Sequence, residues 1–124
     1  MITLKDALTI HRMALESFGG AEGVRDFGLL DSALQRPHST FDGKDLYPTA
    51  LEKGAALIES IVRNHPFSDG NKRTGYILMR LTLLESGIDI SATEDEKYDF
   101  VTGIASGRLD YESIKLWLGK KLKK

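Results

Sequence analysis

What this sequence lacks already limits its function. Cysteine is absent from its 124 residues, which excludes disulfides, thiolate metal sites and cysteine nucleophiles and is compatible with a reducing cytoplasm. No apolar run is long enough to span a membrane, and the N-terminus lacks the charged and then apolar segments of a signal peptide. We therefore expect a soluble cytoplasmic protein that makes no membrane contact.

Neither sign of charge dominates the chain. The formal net charge is −1, which gives no overall attraction to nucleic acid or to anionic lipid. Four lysines follow Gly119 at the C-terminus. We interpret them as the solvated end of a helix, because the helix dipole favours cations there. Direct binding of nucleic acid or another polyanion by this tail is the weaker alternative.

Helical periodicity accounts for most of the sequence. Apolar residues recur at intervals of three and four in five or six segments. Thr3 with Asp6 and Thr93 with Glu96 resemble capping boxes and mark two helix starts. Pro48 suits the first residue of the third helix. We predict a compact all-α fold of five to six helices, formed by one domain over residues 1–124.

The segment between the second and third helices carries the only indication of a strand. Asp42-Gly43 is a strong turn signal. Phe41 before it and Leu46-Tyr47 after it are compatible with a small hairpin, although the strand pattern is weak.

Residues 65–74, with the sequence HPFSDGNKRT, separate two apolar helical segments. Pro66 ends the earlier helix, because the residue before a proline is disfavoured in the helical conformation. The next helix begins near Asn71. Helix N-termini carry unpaired backbone N–H groups and the positive end of the helix dipole, so they bind anions. The sequence therefore predicts a phosphate-handling loop between two core helices.

The side chains of this loop supply the other parts that phosphate chemistry needs. Gly70 permits a positive φ angle and a close approach of backbone N–H groups to an anion. Lys72 and Arg73 add two cations in the first helical turn, where they oppose the dipole unless an anion is bound. Asp69 offers oxygen ligands to Mg²⁺, which commonly shares one carboxylate with substrate phosphates. His65 is the candidate general base, since imidazole titrates near neutral pH.

Each of these residues also has a purely structural interpretation. Asp69 or Asn71 is compatible with a simple helix N-cap. His65 suits an ordinary helix C-terminus, where histidine complements the dipole. Lys72 and Arg73 are compatible with a solvated pair. Composition and spacing alone do not choose between a site and a structural loop.

Two further residues are expected to be structural in either case. Phe67 is the apolar member of the loop, and we predict that it anchors the loop in the core. His11 lies on or beside the apolar face of the first helix, where a histidine is most often half-buried with its polar atoms satisfied.

The loop resembles the motif of the Fic/Doc family, His-Pro-Phe-x-(Asp or Glu)-Gly-Asn-(Gly or Lys)-Arg, which joins two core helices. The match is nearly complete, and the chain length and the helical pattern extend the resemblance over essentially the whole chain. Lys72-Arg73-Thr74 resembles the death-on-curing (Doc) branch. Most Fic enzymes have glycine in place of Lys72 and often a second arginine in place of Thr74. The segments 23–26 and 28–31 also resemble the Doc branch.

The resemblance implies roles for the loop residues. His65 would activate a target hydroxyl and Asp69 would hold the metal. Gly70 and Asn71 would shape the anion hole, and Arg73 would hold nucleotide phosphates. ATP and Mg²⁺ are the implied substrate and cofactor.

The resemblance also implies an activity, and here alternatives remain. Doc-type toxins are protein kinases that phosphorylate a threonine of elongation factor Tu and block translation, whereas Fic enzymes generally transfer AMP to a protein hydroxyl. A bulky, charged Lys72 in place of glycine favours the Doc-type phosphate arrangement. The alternatives are an adenylyltransferase on the same scaffold and a non-catalytic binding module that retains the loop only as structure.

The resemblance also has implications for substrate binding and for inhibition. Fic proteins align the target backbone along a flap, for which Phe41 to Tyr47 is the candidate by position. The inhibitory Ser/Thr-x-x-x-Glu-Gly/Asn helix of many family members is absent from this sequence. Its absence is consistent with inhibition in trans by an antitoxin of the Phd type, whose disordered tail folds on binding.

Overall fold

The computed structural model describes residues 1–123, and within that range the chain forms six α-helices, one 3₁₀ turn and one two-stranded hairpin. The predicted all-α fold is confirmed. Among the described residues, no helix combines the length and the apolar character needed to cross a bilayer. In chain order the elements are α1 (Leu4–Phe18), α2 (Phe27–Gln35), the 3₁₀ turn (Arg36–His38), β1 (Thr40–Phe41), β2 (Lys44–Asp45), α3 (Ala50–Asn64), α4 (Asn71–Leu84), α5 (Glu94–Ala105) and α6 (Tyr111–Lys120).

Helices α3 and α4 form the centre of the molecule. A Cβ atom added to Gly75 of α4 would lie 3.0 Å from Val62 Cγ2 and 3.2 Å from Ile61 Cγ2 of α3, so the absence of a side chain allows the two helices to pack closely. One buried cluster joins α3 and α4 to α5 and α6, and a second joins them to α1 and α2. The loop between α3 and α4 is therefore supported by the whole core.

Most helix starts follow the sequence signals. Thr3 with Asp6 and Thr93 with Glu96 form complete capping boxes, in which each hydroxyl accepts from the third backbone N–H and each carboxylate accepts from the cap. The placement of Pro48 in the first turn of α3 is wrong. Thr49 is the N-cap, because its hydroxyl accepts from the Glu52 N–H, and α3 therefore begins at Ala50.

The weakly predicted hairpin exists but is very short. Thr40 pairs with Asp45 and Phe41 with Lys44 in an antiparallel ladder. Asp42 and Gly43 have φ angles of 53° and 77°, as the tight turn of a two-residue hairpin requires. All residues of both strands are exposed.

Within residues 1–123, the interpretation of the C-terminal lysines as a solvated helix end holds for Lys120, which is exposed in the last turn of α6, but not for the two lysines that follow it. Lys121 is ion-paired with Glu96, and Lys123 Nζ lies 3.3 Å from Asp89 Oδ2. Backbone bonds from Ser91 N to Lys121 O and from Lys123 N to Asp89 O attach the chain after α6 to the segment before α5. These ion pairs engage two of the lysines that a polyanion would contact. Lys124 lies outside the described residues.

Candidate active site

The loop between α3 and α4 begins at His65 in a left-handed conformation. Its φ and ψ angles are 50° and 58°, and its N–H donates to Ile61 O at the end of α3. Pro66 disfavours the helical conformation for the preceding residue, and the left-handed turn then directs the chain away from the helix axis. Pro66 is buried, whereas the His65 side chain is exposed, so its imidazole is accessible to a substrate.

Phe67 anchors the loop in the core, as predicted. Its side chain is only 1% exposed, and its ring stacks on the His11 imidazole with centroids 3.9 Å apart. His11 Nε2 lies 2.8 Å from Asp69 O, so the ring nitrogen must carry the proton and donate to that carbonyl. The structural interpretation of His11 is confirmed. At 4% exposure it is more buried than expected, because it fills the space beneath the loop.

Asn71 stabilises the loop rather than capping the helix. Its side-chain oxygen accepts from Phe67 N and its amide nitrogen donates to Phe67 O, both at 3.0 Å. The side chain is buried and both of its polar atoms are engaged. The predicted contribution of Asn71 to phosphate binding therefore rests on its backbone N–H.

The start of α4 leaves its backbone donors available. Gly70 is the N-cap with φ 75° and ψ 19°, and no side chain caps the helix, so the interpretation of Asp69 or Asn71 as an N-cap is wrong. The first intrahelical bond runs from Thr74 N to Gly70 O. Within residues 1–123, the N–H groups of Asn71, Lys72 and Arg73 donate to no protein acceptor. Three aligned donors at the positive end of a helix are suited to an anion.

Asp69 stands beside these donors as an exposed carboxylate. Its oxygens accept from Ala21 N at 3.1 Å and from Gly70 N at 2.8 Å. These backbone donors, together with the nearby His11, hold the pKa of Asp69 below its ordinary value. The carboxylate is therefore ionised throughout the neutral range and ready to bind a cation.

The two cations of the motif are exposed, as both interpretations predict. Neither Lys72 nor Arg73 forms an ion pair with any acid in the described range. The Arg73 guanidinium lies over the Phe18 ring, 3.8 Å from its centroid. This cation–π contact holds the guanidinium beside the cleft, where its N–H groups can donate to phosphate oxygens.

Arg25 is a part of the site that sequence reasoning did not assign. Its Nε donates to His65 O and its Nη2 to Asn64 O, both at 2.7 Å. The backbone N–H groups of Arg25 and Asp26 both donate to Pro66 O. Arg25 thereby fixes the backbone of the candidate base. The only available signal was its position in the segment 23–26, which resembled the Doc branch without indicating a role.

One open cleft of about 890 Å³ brings the predicted residues together. His65, Lys72, Arg73 and Arg25 lie at its polar end, with Asp69, Gly70 and Asn71. The cleft continues along an apolar stretch of α4 to α5, and Ile77, Leu81, Leu84, Lys97 and Tyr98 line that part. All six predicted site residues therefore share one cavity large enough for a nucleotide.

The donor set fits a shared metal ion rather than a cage made by the protein alone. No group of three or more histidine, cysteine or acidic side chains converges anywhere in residues 1–123. Asp69 offers one ionised carboxylate at the edge of the anion site. Mg²⁺ is commonly held by one or two carboxylates plus substrate phosphates, so the residues present are compatible with it.

Comparison with known proteins agrees with the fold and the loop. The family model described as the Fic/DOC family matches residues 1–83, which include the whole loop. The chain belongs to the Fic/Doc family. It is similar to the protein named Toxin Doc from Mycolicibacterium smegmatis strain ATCC 700084 / mc(2)155, with 40% identity over 112 residues. The match covers 89% of this chain and 84% of that protein.

Proposed function

We propose that this protein is a Doc-type toxin kinase, which transfers the terminal phosphate of ATP to a threonine of elongation factor Tu and so blocks translation. One observation carries the proposal: the exposed His65 shares a cleft with three free N–H groups at the start of α4. The similarity to a protein named Toxin Doc supports the assignment as a Doc-type toxin. Family membership supports the coarser class, transfer of a phosphorus group to a protein.

Each residue has a defined part in the transfer. The His65 imidazole accepts the proton of the threonine hydroxyl as the new bond forms between that oxygen and the γ-phosphorus. The bond between the γ-phosphorus and the β,γ-bridging oxygen breaks, and ADP leaves with the electron pair. The backbone N–H groups of Asn71, Lys72 and Arg73 and the cationic side chains stabilise the charge on the phosphate oxygens.

Asp69 is the residue that would hold Mg²⁺. The ion, when bound, would neutralise charge on the nucleotide phosphates. Because backbone hydrogen bonds lower the pKa of Asp69, its carboxylate is ionised at neutral pH and loses no proton when the cation binds.

Lys72 is the basis for choosing phosphate transfer over AMP transfer. A glycine at this position would leave the backbone nest open to a close phosphate, whereas an exposed lysine adds volume and a charge beside it. We expect this to disfavour the pose that presents the α-phosphorus to the acceptor. In the alternative adenylyltransferase reaction, the acceptor oxygen would bond to the α-phosphorus and pyrophosphate would leave.

Labelled ATP distinguishes the two reactions. We expect purified elongation factor Tu to acquire label from γ-labelled ATP, but not from ATP labelled at the α-phosphorus. His65→Ala should abolish the transfer, because the candidate base is lost. Lys120→Ala, at the C-terminal end of α6, should transfer label normally. Label from the α-position would instead establish AMP transfer.

Lys72→Gly should shift the balance of transfer from the γ-label towards the α-label, and an unchanged balance would refute the role given to Lys72.

A non-catalytic binding module is the remaining alternative. Expression in bacteria tests it without knowledge of the substrate, because a toxin that works by catalysis needs its base. The wild-type protein should arrest growth, and His65→Ala should permit growth at the same protein level. Growth arrest that persists in His65→Ala would favour the binding module.

We also propose that an antitoxin of the Phd type inhibits this protein in trans. The proposal is supported by the name of the relative and by the absence of the inhibitory helix motif from this sequence. A small reading frame beside this gene should encode a partner that co-purifies with the protein and restores growth. Failure of the neighbouring gene product to do either would contradict this partner.

A further inference from the structure

The hairpin formed by β1 and β2 cannot hold its own position. Its strands are two residues long, and all of their residues are exposed. An isolated two-stranded hairpin is marginally stable in water, and this one buries no apolar face. Its position must therefore come from the residues at its two ends.

Lys53 of α3 connects those two ends. Its ammonium donates to Pro37 O at 3.2 Å, before β1, and to Tyr47 O at 2.5 Å, after β2. Both bonds are partly buried, and a charged donor strengthens each of them. A single side chain thus closes the base of the hairpin and ties it to α3.

Arg36 makes a second connection between the hairpin and α3. Its Nε donates to the Tyr47 hydroxyl at 3.0 Å. Its Nη1 lies 2.9 Å from Glu59 Oε1 and 3.0 Å from Ser60 Oγ, and also contacts a backbone carbonyl of α3. The Glu59 side chain is only 14% exposed, so this ion pair is better shielded from water than the surface pairs elsewhere.

Helix α3 carries this clamp and the candidate base on one rigid element. Lys53, Glu59 and Ser60 lie along the helix, and His65 is its C-terminal cap. Ser60 and Lys53 precede His65 by five and twelve positions, which corresponds to roughly 7–8 Å and roughly 18 Å along the axis. A helix of this length is stiff, so a hairpin fixed to α3 is also fixed relative to His65.

We propose that Arg36 and Lys53 are positioning residues, which lock the hairpin against α3 so that it receives the backbone of the protein substrate in register with His65. The proposal rests on the proposed function, because it assumes a protein substrate. Neither residue lines the cleft, so replacing either one should leave ATP binding unchanged.

Lys53→Met tests the clamp, because it removes the ammonium and keeps an apolar side chain of similar length. Hydrogen exchange should become about tenfold faster in residues 39–47, as expected for loss of bonds to a charged group, and should stay unchanged in α4. Lys53→Arg retains two donors and should restore protection. Lys121→Met is the control, since it removes the ammonium of a different partly buried lysine, which is bound to Glu96 and not to the hairpin. Unchanged exchange in Lys53→Met would overturn the clamp.

Kinetics test whether the clamp positions substrate. With purified elongation factor Tu and γ-labelled ATP, Lys53→Met should raise KM for the protein about tenfold, with kcat and KM for ATP within about twofold of wild type. A loosened hairpin with unchanged KM would overturn the positioning role.

If the wild-type protein transfers no label, the proposed function fails, and growth arrest replaces KM as the readout. Lys53→Met should then be less toxic than Lys121→Met at equal expression, and equal toxicity would overturn the role.

Discussion

His11 supports the loop at Asp69, the candidate metal ligand. Its imidazole donates to Asp69 O from beneath and stacks on Phe67, so one buried side chain holds two loop residues. Arg25 does the same for His65 and Asn64 from the side. Together they hold the backbone of the candidate base and of the candidate metal ligand. At the scale of single residues, the loop is a preorganised part held by side chains from α1 and from the α1–α2 connection.

Replacement of His11 measures that support. His11→Leu keeps an apolar contact with Phe67 but leaves the Asp69 carbonyl without its donor, so the free energy of unfolding should fall by about 1–3 kcal/mol. His11→Gln retains an amide donor and should lose less. Urea unfolding monitored by circular dichroism gives both values. Equal stability of His11→Leu and His11→Gln would show that the hydrogen bond contributes nothing.

At the scale of elements, the contact between α3 and α4 decides the position of the loop, because the loop joins the ends of those two helices. Gly75 lies at that contact, against Val62 and Ile61. These neighbours are β-branched and have few alternative rotamers, so they cannot move aside for a methyl group. Both are fully buried.

A matched pair of glycine substitutions tests the close packing. Gly75→Ala should lower the free energy of unfolding by about 1–3 kcal/mol through overpacking, although alanine is the better helix former. Gly119→Ala in the exposed face of α6 meets no other atom of residues 1–123 within 4 Å. That control should raise the same free energy by about 0.5–1 kcal/mol. Thermal unfolding measures both, and a stabilising Gly75→Ala would show that the helices can separate without cost.

At the scale of the whole molecule, the C-terminal residues close the structure against the segment before α5. Ile90 and Leu122 form an isolated antiparallel bridge, and ion pairs flank it on both sides. The ion pair and hydrogen bond with Lys121 and the bond from Thr93 N lower the pKa of Glu96 from 4.5 to about 2. Hydrogen bonds from the Arg80 side chain and, to a lesser extent, from the Ile90 N–H hold the pKa of Asp89 well below its usual range.

This closure predicts how stability depends on pH. Because the folded state lowers the pKa of Glu96, its contribution is fully present above about pH 4.5 and is lost as the pH falls towards about 2. Glu96→Gln should therefore lose less stability than wild type across that interval. Glu22→Gln, at an exposed acid without an ion pair in the described residues, is the control and should follow wild type. Parallel acid-unfolding curves for Glu96→Gln and wild type would contradict the assignment.

The sequence by itself determined the local structure. Capping boxes, helical periodicity, the turn at Asp42-Gly43 and the interruption at Pro66 depend on residues within about four positions of one another, so spacing along the chain reveals them. The loop motif was identifiable for the same reason, since His65 and Arg73 lie within one short segment. The misplaced start of α3 at Pro48 arose because Thr49 offers a hydroxyl cap that outweighs the preference of proline for the first turn.

Only the tertiary structure decided which residues support that segment. The contact between His11 and Asp69 joins positions 58 residues apart, and the bond from Arg25 to His65 spans 40. The sequence alone suggested that Lys121 and Lys123 belong to a solvated tail, whereas in the folded chain they lie beside Glu96 and Asp89. Likewise, the clamp from Lys53 to both ends of the hairpin exists only once α3 is packed. The physical reason is common to all of them: hydrogen bonds and ion pairs act over a few ångströms in space, and folding alone sets which distant residues come that close.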